Sequence, residues 1–188
     1  MEEQEKMLNG ELFDAHKSQE LIERLRTTKE LCYEYNNLNP REREKKKEIL
    51  EKILQKKINK CTIEPVFFCD YGFNIEVGEN FYSNHNLVIL DVNKVKFGDN
   101  VFIGPNSGFY TAAHPIDPKL RNTGLEYAKP ITVGNNVWIG GNVCVLPGVT
   151  IGDNVVIGAG SVVNKDIPSN TVAVGNPCKV IKKLENGE

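Results

Sequence analysis

The sequence of 188 residues predicts a coil of short β-strands stacked turn upon turn, preceded by a helical segment. Aliphatic residues recur at every sixth position in the second half, and glycine and charge are distributed unequally. Of the 16 glycines, 15 lie from Gly72 onward, whereas 27 of the 48 charged residues lie in the first 60 positions. We therefore expect an N-terminal helical segment, 1–60, and a β-coil domain, 61–188.

Six-residue units follow one another without a gap from Val133 onward. Their aliphatic positions are Val133, Ile139, Val145, Ile151, Ile157 and Val163. A spacing of six fits neither the 3.6-residue period of a helix nor the two-residue alternation of a flat strand. It fits a chain that turns a corner at every sixth residue and points one aliphatic side chain inward on each face. Three faces close a coil of about eighteen residues, and stacked coils bury a continuous aliphatic column.

Glycine and asparagine recur beside the aliphatic positions, as in Ile139-Gly140 and Val133-Gly134-Asn135-Asn136. We expect both residue types at the corners, because both tolerate the backbone angles that a corner requires.

Two helices are predicted in the N-terminal segment. The first covers 18–36, with Ser18 as its N-cap. The second is expected to follow Asn39, with Pro40 at the first helical position. Its apolar face consists of Ile49, Leu50, Ile53 and Leu54. Two helices of this length bury too little surface to stand alone, so we expect them to pack against the coil.

Composition excludes several classes of function. With 23 basic and 25 acidic residues the net charge is -2, which argues against nucleic acid as a partner. No apolar run approaches the ~18 residues of a membrane span. The first residues are acidic, whereas a secretory signal needs a basic start and an apolar core. These observations predict a cytoplasmic protein that acts on small molecules.

Cysteine and histidine usage predicts no metal site. The five cysteines include no C-x-x-C pair, so reduced thiols are expected. Only two histidines, His85 and His114, lie in the β-coil domain, whereas a zinc site built from histidines needs three.

The six-residue pattern lapses once over a long stretch, in a loop that covers 110–132. Pro115, Pro118 and Pro130 predict a stiff excursion, and His114 lies on it. Long excursions from a regular coil usually carry function. His114 is therefore a candidate catalytic residue, with a surface histidine as the alternative.

Short sequence motifs are also spread over nearly the whole chain: Gly10-Glu-Leu-Phe13, Tyr33-Glu-Tyr-Asn36, Cys69-Asp-Tyr-Gly-Phe-Asn74, Thr111-Ala-Ala-His-Pro115, Asn135-Asn-Val-Trp-Ile-Gly140 and Gly175-Asn-Pro177. In these motifs the chain resembles the maltose and galactoside O-acetyltransferases, which are hexapeptide-repeat enzymes. The resemblance implies a left-handed parallel β-helix and a homotrimer with sites between subunits. It also implies acetyl transfer from acetyl-CoA to a sugar such as maltose or glucose.

The resemblance implies roles for residues on the acceptor side. His114 matches the family's general base, a task that suits an imidazole because it is largely neutral at cytosolic pH. Asp70, Asn84 and Arg24 match positions that hold the acceptor. Asp70 agrees with the maltose branch, since the galactoside branch has serine there. The family's acidic residue near the N-terminus aligns with Ala15, and the adjacent Asp14 is the candidate substitute.

On the donor side, the resemblance implies a coenzyme A site. Its matched residues are Gly141, Ala159, Asn164, Lys165, Lys179 and Lys182. Asn164 replaces the usual hydroxyl residue, and the last two lysines stand where arginines are common. A solvated C-terminal tail is the alternative for those two lysines. Trp138 either borders the site or forms a wall of the coil.

The prediction is an acetyl-CoA-dependent sugar O-acetyltransferase. Two alternatives remain at this point: a hexapeptide acetyltransferase for a non-sugar acceptor, such as a drug, serine or an amino sugar, and a non-catalytic β-helix that binds a ligand.

Overall fold

The computed structural model describes residues 2–185. Its helices are α1 (Glu3–Asn9), a short 3-10 helix (Ala15–Lys17), α2 (Gln19–Asn37), α3 (Arg43–Leu54) and α4 (Pro118–Arg121). No helix in this part of the chain is long and apolar enough to cross a bilayer.

The rest of the chain is a left-handed parallel β-helix with three faces. The first face consists of β1 (Cys61–Ile63), β4 (Phe81–Ser83), β7 (Val101–Ile103), β12 (Val137–Ile139), β15 (Val155–Ile157) and β17 (Thr171–Val174), with β18 (Lys179–Lys183) antiparallel at its edge. The second face consists of β2 (Phe67–Cys69), β5 (Leu87–Leu90), β8 (Gly108–Tyr110), β13 (Cys144–Val145) and β16 (Val162–Val163). The third face consists of β3 (Ile75–Glu76), β6 (Val95–Phe97), β11 (Ile131–Val133) and β14 (Thr150–Ile151). Val137 pairs with Val155, eighteen residues on, as the six-residue pattern predicts.

The aliphatic series forms the interior column. Each of its six members from Val133 to Val163 is at most 1% exposed. Toward the helical segment, Phe81, Phe97 and Phe109 continue the column, with ring centroids 5.1 and 4.9 Å apart. The aliphatic pattern therefore predicted the core correctly, because each inward position is repeated once on every face.

Asparagine and the glycine that directly follows each inward residue have different roles at the corners, which corrects the shared role predicted for them. Asn100 and Asn136 have left-handed φ values of 56° and 55°, and their side-chain amides are hydrogen-bonded to each other at 3.0 Å. Gly104 has no such φ value. A Cβ atom on it would lie 2.5 Å from the backbone nitrogen of Gly141 on the next coil. Glycine is required there because successive coils approach too closely for a side chain.

The helical segment follows the prediction at α2 and departs from it at α3. The Ser18 side chain accepts a hydrogen bond from the Leu21 N–H and caps α2. The predicted start of the second helix at Pro40 is wrong, since α3 begins at Arg43. Asn39 Oδ1 accepts from the Arg41 N–H at 3.0 Å, which closes a local turn ahead of the helix. A side chain that bonds two residues ahead stabilises a turn in preference to a helix.

Both helices share one core with the first coil, which confirms that they pack against it. Tyr35 and Ile49 are buried in the same cluster as Ile63 and Phe67. The Asn36 side chain accepts from the Phe67 N–H and donates to the Phe67 carbonyl, at 2.8 and 2.9 Å. The helical segment therefore covers the end of the aliphatic column.

Candidate functional site

Six of the predicted site residues lie at two corners of the β-helix: Asp70, Asn164 and Lys165 at one, and Asn84, Gly141 and Ala159 at the other. Corner A follows the strands of the second face and contains Asp70, Asp91, Thr111, Asn164 and Lys165. Corner B follows the strands of the first face and contains Asn84, Gly104, Gly140, Gly141, Gly158 and Ala159.

The excursion leaves corner A after β8 and returns at β11. It contains β9 (Ala112–Ala113) and β10 (Tyr127–Ala128), which pair antiparallel, with α4 between them. The Asp117 side chain accepts from the Lys119 N–H, and Pro118 follows at the first helical position. The stretch is therefore a folded projection with its own hydrogen bonds.

His114 follows β9 directly and is exposed. Its Nδ1 atom lies 3.3 Å from the carbonyl oxygen of Leu125, on the returning limb of the excursion. A carbonyl oxygen can only accept, so this contact requires the proton on Nδ1. Nε2 then keeps its lone pair, as a base requires.

The N-terminal segment holds the excursion in place, a contact that the sequence did not reveal. Phe13 and Glu126 form an isolated antiparallel bridge, with N–H···O distances of 3.0 and 3.1 Å. The buried Asn93 side chain donates to the carbonyls of Met7 and Ala128 at 3.0 and 3.3 Å. The returning limb beside His114 is thus tied both to the N-terminal segment and to the coil.

Asp70 follows β2 at corner A and is half-buried. Burial, together with the nearby Asp91 and Glu126 carboxylates and against the opposing effect of Lys29, raises the pKa of its carboxyl to about 6. Since Glu126 is the neighbour of Leu125, Asp70 and His114 belong to one region of corner A.

Arg24 and Asp14 both form hydrogen bonds or ion pairs with other groups of the same chain. Arg24 Nε donates to the Tyr71 carbonyl at 2.8 Å, and Nη2 donates to the Ile53 carbonyl at 2.6 Å. Arg24 therefore connects the turn after Asp70 to the end of α3. Asp14 Oδ1 accepts from the His16 N–H, and Oδ2 lies 3.5 Å from Lys17 Nζ. Direct contact of Arg24 and Asp14 with an acceptor stays a prediction.

Asn84 lies at corner B with two of the predicted coenzyme residues. Its N–H donates to the Ile103 carbonyl at 2.9 Å, and its Oδ1 accepts from the His85 N–H at 2.8 Å. Gly141 and Ala159 occupy neighbouring coils, since the N–H after Ala159 donates to the Gly141 carbonyl at 2.9 Å. A Cβ atom on Gly140 would lie 2.6 Å from the Ala159 nitrogen, so the small residues here permit close stacking of the coils.

The remaining candidate residues lie on the last coil of the β-helix and on the strand that follows it. Asn164 and Lys165 follow β16 at corner A, and both are exposed. Lys179 and Lys182 lie on β18, which pairs with β17. The predicted C-terminal tail is thus a strand in this region, although both lysines remain exposed.

Within one chain, corner A and corner B are separated by the width of the second face. Six residues connect Asn84 to Leu90 along β5, and at about 3.3 Å per residue the face is roughly 15–20 Å wide. The structure therefore brings His114 together with Asp70, and Asn84 together with Gly141 and Ala159, but it does not join the two groups in one chain.

Trp138 lies on the outer wall of the first face and is 60% exposed. His85 Nδ1 contacts the Pro65 carbonyl. Across residues 2–185, no group of three His, Cys, Asp or Glu side chains is placed to hold a metal ion.

Two family models match the chain. The maltose acetyltransferase hexapeptide capping motif covers residues 6–57, and the bacterial transferase hexapeptide model covers 130–165. Among curated proteins, a putative acetyltransferase of Saccharomyces cerevisiae is 56% identical over 96% of this chain and 92% of its own length. The galactoside O-acetyltransferase of Escherichia coli is 45% identical over 84% of this chain and 78% of its own.

Solved structures agree with these matches. A maltose O-acetyltransferase from Clostridium difficile has 51% identity and a TM-score of 0.92, covering 99% of both chains. A galactoside acetyltransferase in complex with coenzyme A has 45% identity and a TM-score of 0.94, covering 99% of this chain and 92% of its own. A hexapeptide-repeat acetyltransferase from Vibrio cholerae, in complex with acetyl coenzyme A, has 36% identity and a TM-score of 0.91, covering 99% and 100%. The chain therefore belongs to the maltose and galactoside O-acetyltransferase family of hexapeptide-repeat acetyltransferases.

Proposed function

We propose that the protein transfers the acetyl group of acetyl-CoA to a hydroxyl of a sugar such as maltose or glucose, with His114 as general base. The hydrogen bond from His114 Nδ1 to the Leu125 carbonyl supports this proposal most directly, because it leaves Nε2 ready to accept a proton. The CoA and acetyl-CoA complexes of the two relatives support the choice of donor.

The reaction proceeds by direct attack. The acceptor hydroxyl oxygen forms a bond to the thioester carbonyl carbon while Nε2 of His114 takes the hydroxyl proton. The tetrahedral intermediate then expels coenzyme A as the C–S bond breaks, and the imidazolium returns its proton to the thiolate sulfur. The acetyl group passes straight to the sugar oxygen, so no cysteine carries it.

Acceptor binding is assigned to Asp70 and Asn84, with Arg24 supporting the Asp70 turn. A carboxylate accepts hydrogen bonds from sugar hydroxyls, and an amide both donates and accepts. Donor binding is assigned to corner B, where Gly141 and Ala159 match the family's coenzyme residues and lie on neighbouring coils. Lys165, Lys179 and Lys182 supply positive charge for the phosphates, as lysine ammonium groups do for phosphate ligands.

A homotrimer would complete the site. The residues assigned to the reaction lie at both corners, which a single chain holds roughly 15–20 Å apart. A neighbouring copy that presents its corner B to corner A would bring the two groups together. The outward row of the first face is apolar: Tyr82, Phe102, Trp138 and Val156. The outward row of the third face is polar: Glu76, Lys96, Thr132 and Thr150. Exposed apolar rows of this kind mark contact surfaces.

An acceptor panel tests the function. Thiol release from acetyl-CoA is measured with maltose, glucose, galactosides, chloramphenicol and serine, each against a reaction without acceptor. We expect the highest kcat/KM with a sugar. A preference for chloramphenicol or serine would move the function to a non-sugar acetyltransferase, and no release with any acceptor would indicate a binding protein. A use of acetyl-CoA also fits the cytoplasmic location predicted above.

A further inference from the structure

A fully buried carboxylate lies directly behind the predicted acceptor residue. Asp91 follows β5 at corner A and is 0% exposed. Its Oδ1 accepts hydrogen bonds from the backbone N–H groups of Asp70 and Tyr71, at 3.0 and 2.9 Å. Asp91 therefore holds the turn on which Asp70 is mounted.

The second oxygen of Asp91 has no such partner. Among residues 2–185, Asp91 Oδ2 is the buried side-chain oxygen that lacks any hydrogen bond. Arg24 lies close enough to interact with this carboxylate, but its Nε and Nη2 groups donate to the Tyr71 and Ile53 carbonyls. A buried carboxylate oxygen without a donor is costly as an anion, and a proton removes that cost.

The Asp70 carboxyl lies on the turn that Asp91 holds and feels its charge. Each of the two carboxyls has a pKa raised to about 6, mainly because both are withdrawn from water. A negative charge on one of them disfavours a negative charge on the other.

The other titratable and charged groups around the pair come from three elements. Those acting on it are Arg24, Lys29 and Cys32 on α2, Cys69 and Tyr71 around the end of β2, and Glu126 on the excursion. The two cations favour ionisation of the pair and Glu126 opposes it. A hydrogen bond with Cys32, together with burial, raises the pKa of Cys69, and burial raises the pKa of Tyr71, so both groups are neutral near pH 7. The same hydrogen bond lowers the pKa of Cys32.

We propose that Asp91 is a positioning residue of the acceptor site, which fixes the Asp70 turn through Oδ1 and whose buried carboxylate, with Oδ2 unpaired, acts through its charge on the ionisation of Asp70. The inference rests on the proposed function, in which Asp70 binds an acceptor hydroxyl. Asp91 thereby sets the pH above which Asp70 is a full carboxylate and binds the sugar most tightly.

The test measures sugar binding with the catalytic base removed. In the His114→Ala background, the Kd of the best sugar in the panel is measured by calorimetry between pH 4.5 and 8, with coenzyme A as the control ligand. We expect Kd to rise several-fold as the pH falls through about 6. Adding Asp91→Asn keeps an acceptor oxygen and removes the charge, so this rise should move down by about one pH unit. Adding Asp70→Asn should abolish it, and neither change should alter the Kd of coenzyme A.

Asp91→Ala separates the two functions of the side chain. It removes the oxygen that holds the Asp70 turn, so sugar binding should weaken at every pH. Superimposable pH profiles with and without Asp91→Asn would overturn the inference while leaving the function intact. An Asp91→Asn protein that fails to fold would overturn it as well, because the asparagine keeps the turn and removes the unpaired charge. A wild-type enzyme that acetylates no sugar would instead overturn the proposed function itself.

Discussion

Nδ1 of His114 and the carbonyl oxygen of Leu125 lie 3.3 Å apart, across the base of the excursion. The contact joins the outgoing limb to the returning limb, and it selects the tautomer in which Nε2 carries the lone pair. The Phe13–Glu126 bridge anchors the residue next to Leu125, so the orientation of the imidazole depends on three segments of the chain.

Removal of the imidazole should slow the reaction without weakening donor binding. We expect His114→Ala to lower kcat by about 10²–10⁴, the usual contribution of general-base catalysis, while the Kd of acetyl-CoA stays unchanged. His16→Ala is the matched control. A trimeric His114→Ala enzyme with more than about a tenth of the wild-type rate would refute the mechanism.

Loss of either lysine proposed to bind the CoA phosphates should affect the donor alone. Lys165→Ala and Lys179→Ala should each raise the KM for acetyl-CoA several-fold and leave the acceptor KM nearly unchanged, since their charge meets only the nucleotide. Lys96→Ala, on the polar third face, is the control for loss of a surface charge. If both variants keep the wild-type donor KM, these lysines do not belong to the site.

The apolar row of the first face should be required for assembly. Light scattering should give about three times the chain mass of 21.1 kDa for the wild type. Trp138→Glu places a charge in the apolar row and should shift the protein toward smaller species with lower activity. Thr132→Glu, the same change on the polar third face, should leave the mass unaltered. A wild-type mass of 21.1 kDa at micromolar concentration would contradict the trimer.

The buried carboxylate of Asp91 should make stability depend on pH. Burial raises its pKa from the ordinary value to about 6 in the folded state, so the folded protein binds more protons than the unfolded chain between about pH 4 and 6. Wild-type stability should therefore fall as the pH rises through that window. Asp91→Asn lacks this loss and should gain roughly 2 kcal/mol over the wild type between pH 4 and 7. Melting curves across this range measure it, and a constant difference would contradict it.

The repeat was readable from the sequence because each inward position recurs every six residues. The buried column from Val133 to Val163 follows from that spacing alone. His114 was also accessible to sequence reasoning, since the excursion interrupts an otherwise regular pattern. Sequence patterns predicted the structure wherever the pattern repeats with the period of the coil.

Contacts between distant segments were not readable. Asn93 donates to the Met7 carbonyl, 86 residues away, and Phe13 pairs with Glu126. Asp91 showed only a faint signal: Asp70 and Asp91 each follow an apolar strand, but the register pairs Cys69 with Ile89, so the two aspartates are offset by one residue. The start of α3 was missed because a competing turn at Asn39 uses the same residue types as a helix cap.

The excursion enters and leaves at one corner, and the coil register resumes as if nothing had been inserted: Val101 pairs with Val137 just as Val137 pairs with Val155. The length of the excursion therefore does not affect the register of the β-helix. The excursion can therefore change in length and sequence, and so change the proposed acceptor site, without altering the contacts of the aliphatic column. Corner B, the proposed donor site, is instead part of the stacking of consecutive coils, where Gly104 admits no side chain. Divergence in such a protein should therefore accumulate on the acceptor side and leave the donor unchanged.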